Sequence, residues 1–259
     1  MTAPHALVLK APGTNCDFET LDALERAGAT TELVTTHVLF AEAERLLRAR
    51  ILCFPGGFAH GDDIASARVL AGQMRHRLGD TLLRFVEQEG GYILGICNGF
   101  QALVKLGLLP RMNSGSLQQE VSLVHNASGQ YECRWVRLRV EDSHCAFLPK
   151  GMVFEMPVGH GEGKFVASER FDAGRSKLVA LRYLDAEGSP TQDYPYNPNG
   201  STHAVAGLTD PSGRVLGLMP HPDRSYLAAQ HPRRLHQEIR DEDMAGHQLF
   251  SALVEAAKG

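Results

Sequence analysis

Short apolar runs alternate with helical stripes through the first half of the chain. Ala6-Leu7-Val8-Leu9, followed by Pro12-Gly13, reads as a buried strand cut off by a turn. Asn15 then stands where it would cap a helix carrying Phe18, Leu21 and Leu24 at helical spacing, closed by Gly28. Thr31 to Thr35 is β-branched and strand-like, Ala41 to Arg50 reads as helix, and Ile51-Leu52-Cys53-Phe54 is a second buried strand stopped by Pro55-Gly56-Gly57. From Gly72 to Gln88, Leu78, Leu82, Leu83 and Val86 share one stripe. Tyr92 to Ile96 forms a third apolar strand, and Phe100, Leu103, Val104 and Leu106 begin a helix directly behind it. Buried strands joined by helices imply a parallel sheet with right-handed crossovers.

The second half has a different rhythm. Trp135 to Val140 alternates apolar and polar residues, as a half-exposed antiparallel strand does. Met152 to Met156, Leu178 to Leu184 and Val215 to Met219 also read as strands, whereas Asp185 to Ser201 is rich in turn residues. Asp241 to Ala257 looks like a closing helix. No linker separates the halves. The expectation is therefore one α/β domain over residues 1–259 with a mixed sheet, its core at about 1–230 and a C-terminal helical segment at 231–259.

The 259 residues are 43% hydrophobic and 22% charged, enough apolar material for a core. A formal net charge of −4 argues against a nucleic-acid binder, which would carry a basic surplus. The apolar run at Ala6 to Leu9 is too short for a secretory signal, and no stretch is long and apolar enough to span a bilayer. Five cysteines, odd in number and unpaired in spacing, suggest neither a disulfide framework nor a metal site. The chain reads as cytoplasmic and reduced.

Gly95-Ile96-Cys97-Asn98-Gly99 sits where a strand gives way to a helix, the nucleophile-elbow pattern with cysteine as its central residue. A sharp strand-to-helix turn leaves no room for flanking side chains. It lifts the sulfur to a helix N-terminus, where the reactive thiolate is favoured, and points the Asn98 N–H into the same space. A buried, inert cysteine is the ordinary alternative, and is the reading for Cys53; Cys16, Cys133 and Cys145 are taken as structural or incidental. Among 12 histidines, His221 is set apart by its place after the strand at Val215 and by Asp223 two residues on. Pro55-Gly56-Gly57 is by itself an ordinary turn, but its glycines would leave the Gly57 N–H free as a second oxyanion donor. Gly159 to Phe165 has the look of a phosphate loop yet lacks the hydroxyl residue after Gly-Lys, so no nucleotide site is read there.

Together these residues resemble a class I, triad-type glutamine amidotransferase. The chain is more closely similar to the glutaminase-subunit family of phosphoribosylformylglycinamidine synthase. Asn15-Cys16-Asp17, Gly56-Gly57-Phe58 with Gly61-Asp62, the elbow through Phe100-Gln101, His160-Gly161-Glu162-Gly163 and Asn197 to Ser201 carry that likeness. It implies a flavodoxin-like fold with helices on both faces of the sheet. It also implies a triad of Cys97, His221 and an acid, oxyanion donors at Gly57 and Asn98, and Gln101 near the glutamine. Asp223 departs from the family's usual glutamate, so its reach to the imidazole would need a backbone shift or a bridging water. The implied partners are a synthetase subunit and a small accessory subunit. ATP and magnesium would sit on the synthetase, with no cofactor or metal in this chain. Two other readings remain open: a cysteine hydrolase or peptidase on a related scaffold, and a non-catalytic assembly subunit.

Overall fold

Among the described residues, the apolar runs of the first half become neighbouring parallel strands of a nine-stranded sheet. The computed structural model describes residues 2–113 and 115–259. Strands β1 (His5–Lys10), β2 (Thr30–Thr35), β3 (Ile51–Phe54), β4 (Tyr92–Ile96) and β11 (Val215–Leu218) form its parallel half, in the order β2-β1-β3-β4-β11. The order continues through β10 (Val205–Thr209), β9 (Val179–Leu184), β6 (Glu132–Val140) and β7 (Val153–His160), all paired antiparallel. The sheet is thus mixed, as expected. Strands β3 and β11 are buried along their whole length, which explains why they read as continuous apolar runs rather than alternations; β10 is buried likewise, but the sequence reading holds no strand there.

Of the helices α1 (Asp17–Arg26), α2 (Thr36–Ala41), α3 (Arg68–Glu87), α4 (Asn98–Leu106) and α5 (Ala245–Ala256), α1 packs against α5 and α3 against α4, while α2 lies against β2. Among the described residues no helix is long and apolar enough to cross a membrane.

The structure departs from the sequence reading at several element ends. Helix α1 starts without a side-chain cap, because the Asn15 carboxamide instead accepts from the Cys16 thiol at 3.1 Å. Phe18 lies on the outer face of α1, 65% exposed, rather than on the core stripe. The single helix read over Ala41 to Arg50 is α2 followed by a 3₁₀ segment at Ala43–Arg48, α2 being started early by Thr35, whose hydroxyl accepts from the Val38 N–H at 3.4 Å. Helix α3 begins at Arg68, with the Ala67 N–H at its threshold held by Asp62 Oδ1 at 3.0 Å. Strands β5 (Ser122–His125) and β8 (Glu162–Val166) make a separate antiparallel pair. The Gly159 to Phe165 segment, in which no nucleotide site is read, holds the sharp passage from β7 to β8. The closing helix is shorter than read, and packs on α1 and on the turn after His221.

Candidate active site

Two central parallel strands deliver the key side chains to one edge of the sheet. Leu94, Gly95 and Ile96 of β4 pair with Leu216, Gly217 and Leu218 of β11, and the Cys97 N–H donates to the Leu218 carbonyl at 2.8 Å. Cys97 follows β4 immediately and His221 follows β11 by three residues, so both leave the sheet at its carboxyl edge.

Cys97 has φ 50° and ψ −104°, a conformation that costs a non-glycine residue about 1–3 kcal/mol. The flanking glycines make the bend possible. A side chain on Gly99 would collide with the Phe54 carbonyl, and one on Gly95 would come within 2.5 Å of Leu103 Cδ1 and 2.9 Å of the Gly99 backbone. The thiol is 5% exposed and lies 3.6 Å from the Gly159 carbonyl of β7. Cys53, by contrast, is enclosed within β3, where burial pushes its thiol far above the ordinary cysteine range.

His221 and Asp223 are both buried. Asp223 reaches the imidazole directly: Nδ1 lies 3.1 Å from Oδ1 and 3.3 Å from Oδ2. Neither a backbone shift nor a bridging water is called for. The 3₁₀ turn at Pro222–Arg224 folds the carboxylate back over its own neighbour, which makes up for the shorter side chain. Burial opposes a charge on His221, but the Asp223 carboxylate and then the Cys97 sulfur outweigh it and raise the imidazole well above its ordinary value. Nε2 is buried and has no hydrogen-bond partner among the described residues.

The two backbone donors are shaped by their surroundings. Gly57 has φ +145°, and a side chain there would press on the Asn15 N–H at 2.7 Å and the Gly13 carbonyl at 2.8 Å. The bridge between Thr14 and Gly57 runs through Asn15 N–H to the Gly56 carbonyl (3.3 Å) and Phe58 N–H to the Gly13 carbonyl (3.0 Å), leaving the Gly57 N–H outside it. Asn98 opens α4, so its N–H is the first of the helix and has no intrahelical acceptor. Its carboxamide ties three segments together: Oδ1 accepts from Ala59 N–H (3.0 Å), while Nδ2 donates to Asp62 Oδ1 (2.9 Å) and Gln101 Oε1 (3.0 Å).

A cleft of about 170 Å³ opens beside Cys97, with Gly57, Gln101, Tyr131, His160 and Glu162 in its wall. That is below the ~300–1,000 Å³ of drug-sized pockets and suits a single amino acid. The Gln101 carboxamide is held at both ends, since Nε2 donates to the Glu162 carbonyl at 2.7 Å. His160 was reached only through its motif. Asn126 Nδ2 donates to the His160 and Gln130 carbonyls at 2.7 and 2.9 Å, so its Oδ1, 3.1 Å from His160 Nδ1, must accept. The proton of His160 therefore sits on Nδ1 and Nε2 is a bare acceptor. Desolvation, then the charge of His221, pushes this imidazole down to about 4.

The sequence reading gives Cys16 as structural or incidental, and it lies buried against His221. Donor atoms of Cys16, His221 and Asp223 fall within 4.8 Å of one another. Arg224 donates through Nη2 to Cys16 Sγ at 3.0 Å, which sets a cation against this cluster. No signal in the sequence joins Cys16 to a histidine some 200 residues away. Cys133 is exposed and Cys145 buried, both away from this cluster.

Residues 3–255 match the CobB/CobQ-like glutamine amidotransferase domain family. The chain is 43% identical over 260 residues to phosphoribosylformylglycinamidine synthase subunit PurQ of Dehalococcoides mccartyi, covering 100% of this chain and 99% of that one. It is 39% identical over 240 residues to the same subunit of Methanococcus maripaludis, covering 91% and 89%. Among solved structures it is similar to PurLQS from Thermotoga maritima, with a TM-score of 0.70 at 27% identity over 98% of this chain and 99% of that one.

Proposed function

This chain belongs to the CobB/CobQ-like glutamine amidotransferases and, within them, to the PurQ subunits of phosphoribosylformylglycinamidine synthase; from that premise we propose that Cys97, His221 and Asp223 hydrolyse glutamine to ammonia and glutamate. The ammonia serves purine biosynthesis, in which a synthetase subunit, assembled with a small accessory subunit, converts formylglycinamide ribonucleotide to formylglycinamidine ribonucleotide. In this reading residues 1–259 form one cytoplasmic amidotransferase domain. ATP and magnesium belong to the synthetase, and this chain works without a cofactor.

The observation that carries the reading is the shared sheet edge: Cys97 and the His221–Asp223 pair leave adjacent parallel strands beside an amino-acid-sized cleft. Cys97 passes its proton to His221, and the thiolate adds to the amide carbon of glutamine. The N–H groups of Gly57 and Asn98 hold the resulting oxyanion, a contribution of about 10²–10³ in rate for each donor. The tetrahedral adduct collapses to a thioester as His221 protonates the departing nitrogen, which leaves as ammonia. The imidazole next takes a proton from water. The hydroxide so formed cleaves the thioester and releases glutamate, and the proton returns to sulfur. Asp223 keeps the imidazole turned so that Nε2 faces the reacting atoms. Gln101, fixed at both ends, shapes the wall against which glutamine lies.

The test uses the assembled synthase. Cys97→Ala is expected to lose glutamine-dependent synthesis entirely while synthesis from ammonium salt continues at the wild-type rate. Loss of both activities, or retention of both, would overturn the assignment.

A further inference from the structure

A second cavity carries more positive charge than its surroundings can neutralise. It measures about 110 Å³ and is lined by Arg68, Ala71, Gly72 and Arg75 of α3, Lys105 of α4, and Gln119. Arg68 and Arg75, seven residues apart on α3, stand on one face of that helix. Lys105 rises from α4 to meet them. It is 7% exposed, and among the described residues its Nζ has no hydrogen-bond partner and forms no ion pair within 4.0 Å. A buried ammonium left alone in this way is costly, because it has given up water without gaining an acceptor.

The neighbouring groups do not supply that acceptor. Arg75 donates through Nη2 to the Lys105 carbonyl and through Nε to the Leu106 carbonyl at 3.1 Å, so two of its nitrogens are tied to α4 while its side chain lines the cavity. The Gln119 Nε2 is engaged by the Val121 carbonyl and the Ser122 hydroxyl. The acids whose fields reach Lys105 are Glu162 and Asp62, and each has another partner: Asp62 Oδ1 takes the Asn98 carboxamide and Ala67 N–H, while Glu162 Oε1 faces His125 at 3.7 Å. Desolvation lowers the Lys105 ammonium from its ordinary value, and these two carboxylates only partly restore it.

We propose that Lys105, Arg68 and Arg75 form a binding site for one phosphate group. Three cationic arms converging from two helices suit the oxygens of a tetrahedral oxyanion, and the cavity admits one such group and little more. The ligand is inorganic phosphate itself or the terminal phosphoryl group of a nucleotide whose remainder stays in solvent. This site is separate from the cleft beside Cys97, and none of its three cations enters the glutaminase mechanism, so it stands or falls apart from that assignment.

The experiment is thermal unfolding and calorimetric titration of the full chain with sodium phosphate, against sodium chloride at equal ionic strength. At ten times its dissociation constant, phosphate is expected to raise the wild-type Tm by about 2–4 °C. Arg68→Gln lies at an exposed position and should fold normally while binding phosphate at least tenfold more weakly. Lys105→Gln is expected to abolish binding. Protection by ADP that Arg68→Gln also removes would support the site and identify the nucleotide as its source; protection by phosphate alone supports the free ion. Equal stabilisation by chloride, or undiminished phosphate binding in Arg68→Gln and Lys105→Gln, would overturn the proposal.

Discussion

At the scale of single residues, the site is governed by where charge is allowed to rest. His221 and His160 are both buried, yet their imidazoles move in opposite directions. His221 has the Asp223 carboxylate against Nδ1 and is raised, whereas His160 has only the neutral Asn126 carboxamide and falls to about 4. The linkage to stability differs accordingly. A histidine whose folded pKa is depressed contributes stability that is present above its unfolded value of 6.5 and is lost as pH falls through its folded value. Wild type should therefore lose about 2–3 kcal/mol relative to His160→Gln between pH 7 and pH 4.5. Urea unfolding of both proteins at the two pH values checks this, and a gap independent of pH would count against a neutral His160. Cys97 was legible as special because the crowding of its elbow leaves a glycine on each side. Cys16 was not, since its importance comes from a sulfur lying against an imidazole from the other end of the chain.

At the scale of elements, the turn that carries His221 and Asp223 leans on α5. The Gly246 N–H donates to the Ser225 carbonyl at 2.8 Å, and a side chain on Gly246 would strike the Pro222 carbonyl and come within 2.8 Å of that of Ser225. Gly246→Ala should displace the turn and so misalign the imidazole, lowering kcat about 10–100-fold while the glutamine KM stays close to wild type. Steady-state ammonia release measures both constants, and an unchanged kcat would mean that α5 does not set the turn. A closing helix was legible over Asp241 to Ala257, but not this use of it. Elements with strong periodicity or unbroken apolar runs, such as β1, β3, β4 and α4, were readable because burial on both faces or on one stripe leaves a pattern. Strand β10 left a weaker one. A side chain on its Gly207 would come within 2.8 Å of the Gly217 carbonyl oxygen, and packing of that kind has no period.

At the scale of the whole molecule, the C-terminal segment is part of the core. Leu249, Phe250, Leu253 and Val254 of α5 are at most 1% exposed, and Arg50 donates to the Ala257 and Gly259 carbonyls at 3.3 and 3.1 Å. Burying four such side chains stabilises by about 6–12 kcal/mol, comparable with the ~5–15 kcal/mol net stability of a domain. A chain ending at Asp243 should thus show no cooperative thermal transition in calorimetry; a sharp transition within a few degrees of wild type would assign the segment a peripheral role. From its order of residues alone the chain determined its mixed α/β class, the elbow at Cys97, and the strand-end position of His221, because crowding and burial act on near neighbours and leave marks at fixed spacing. Only the folded chain decided that Asp223 touches its imidazole directly, that Cys16 and Arg224 close around it, and that Lys105 meets two arginines in a second cavity. Those contacts join segments up to some 200 residues apart, and their energies depend on distances that no local pattern records.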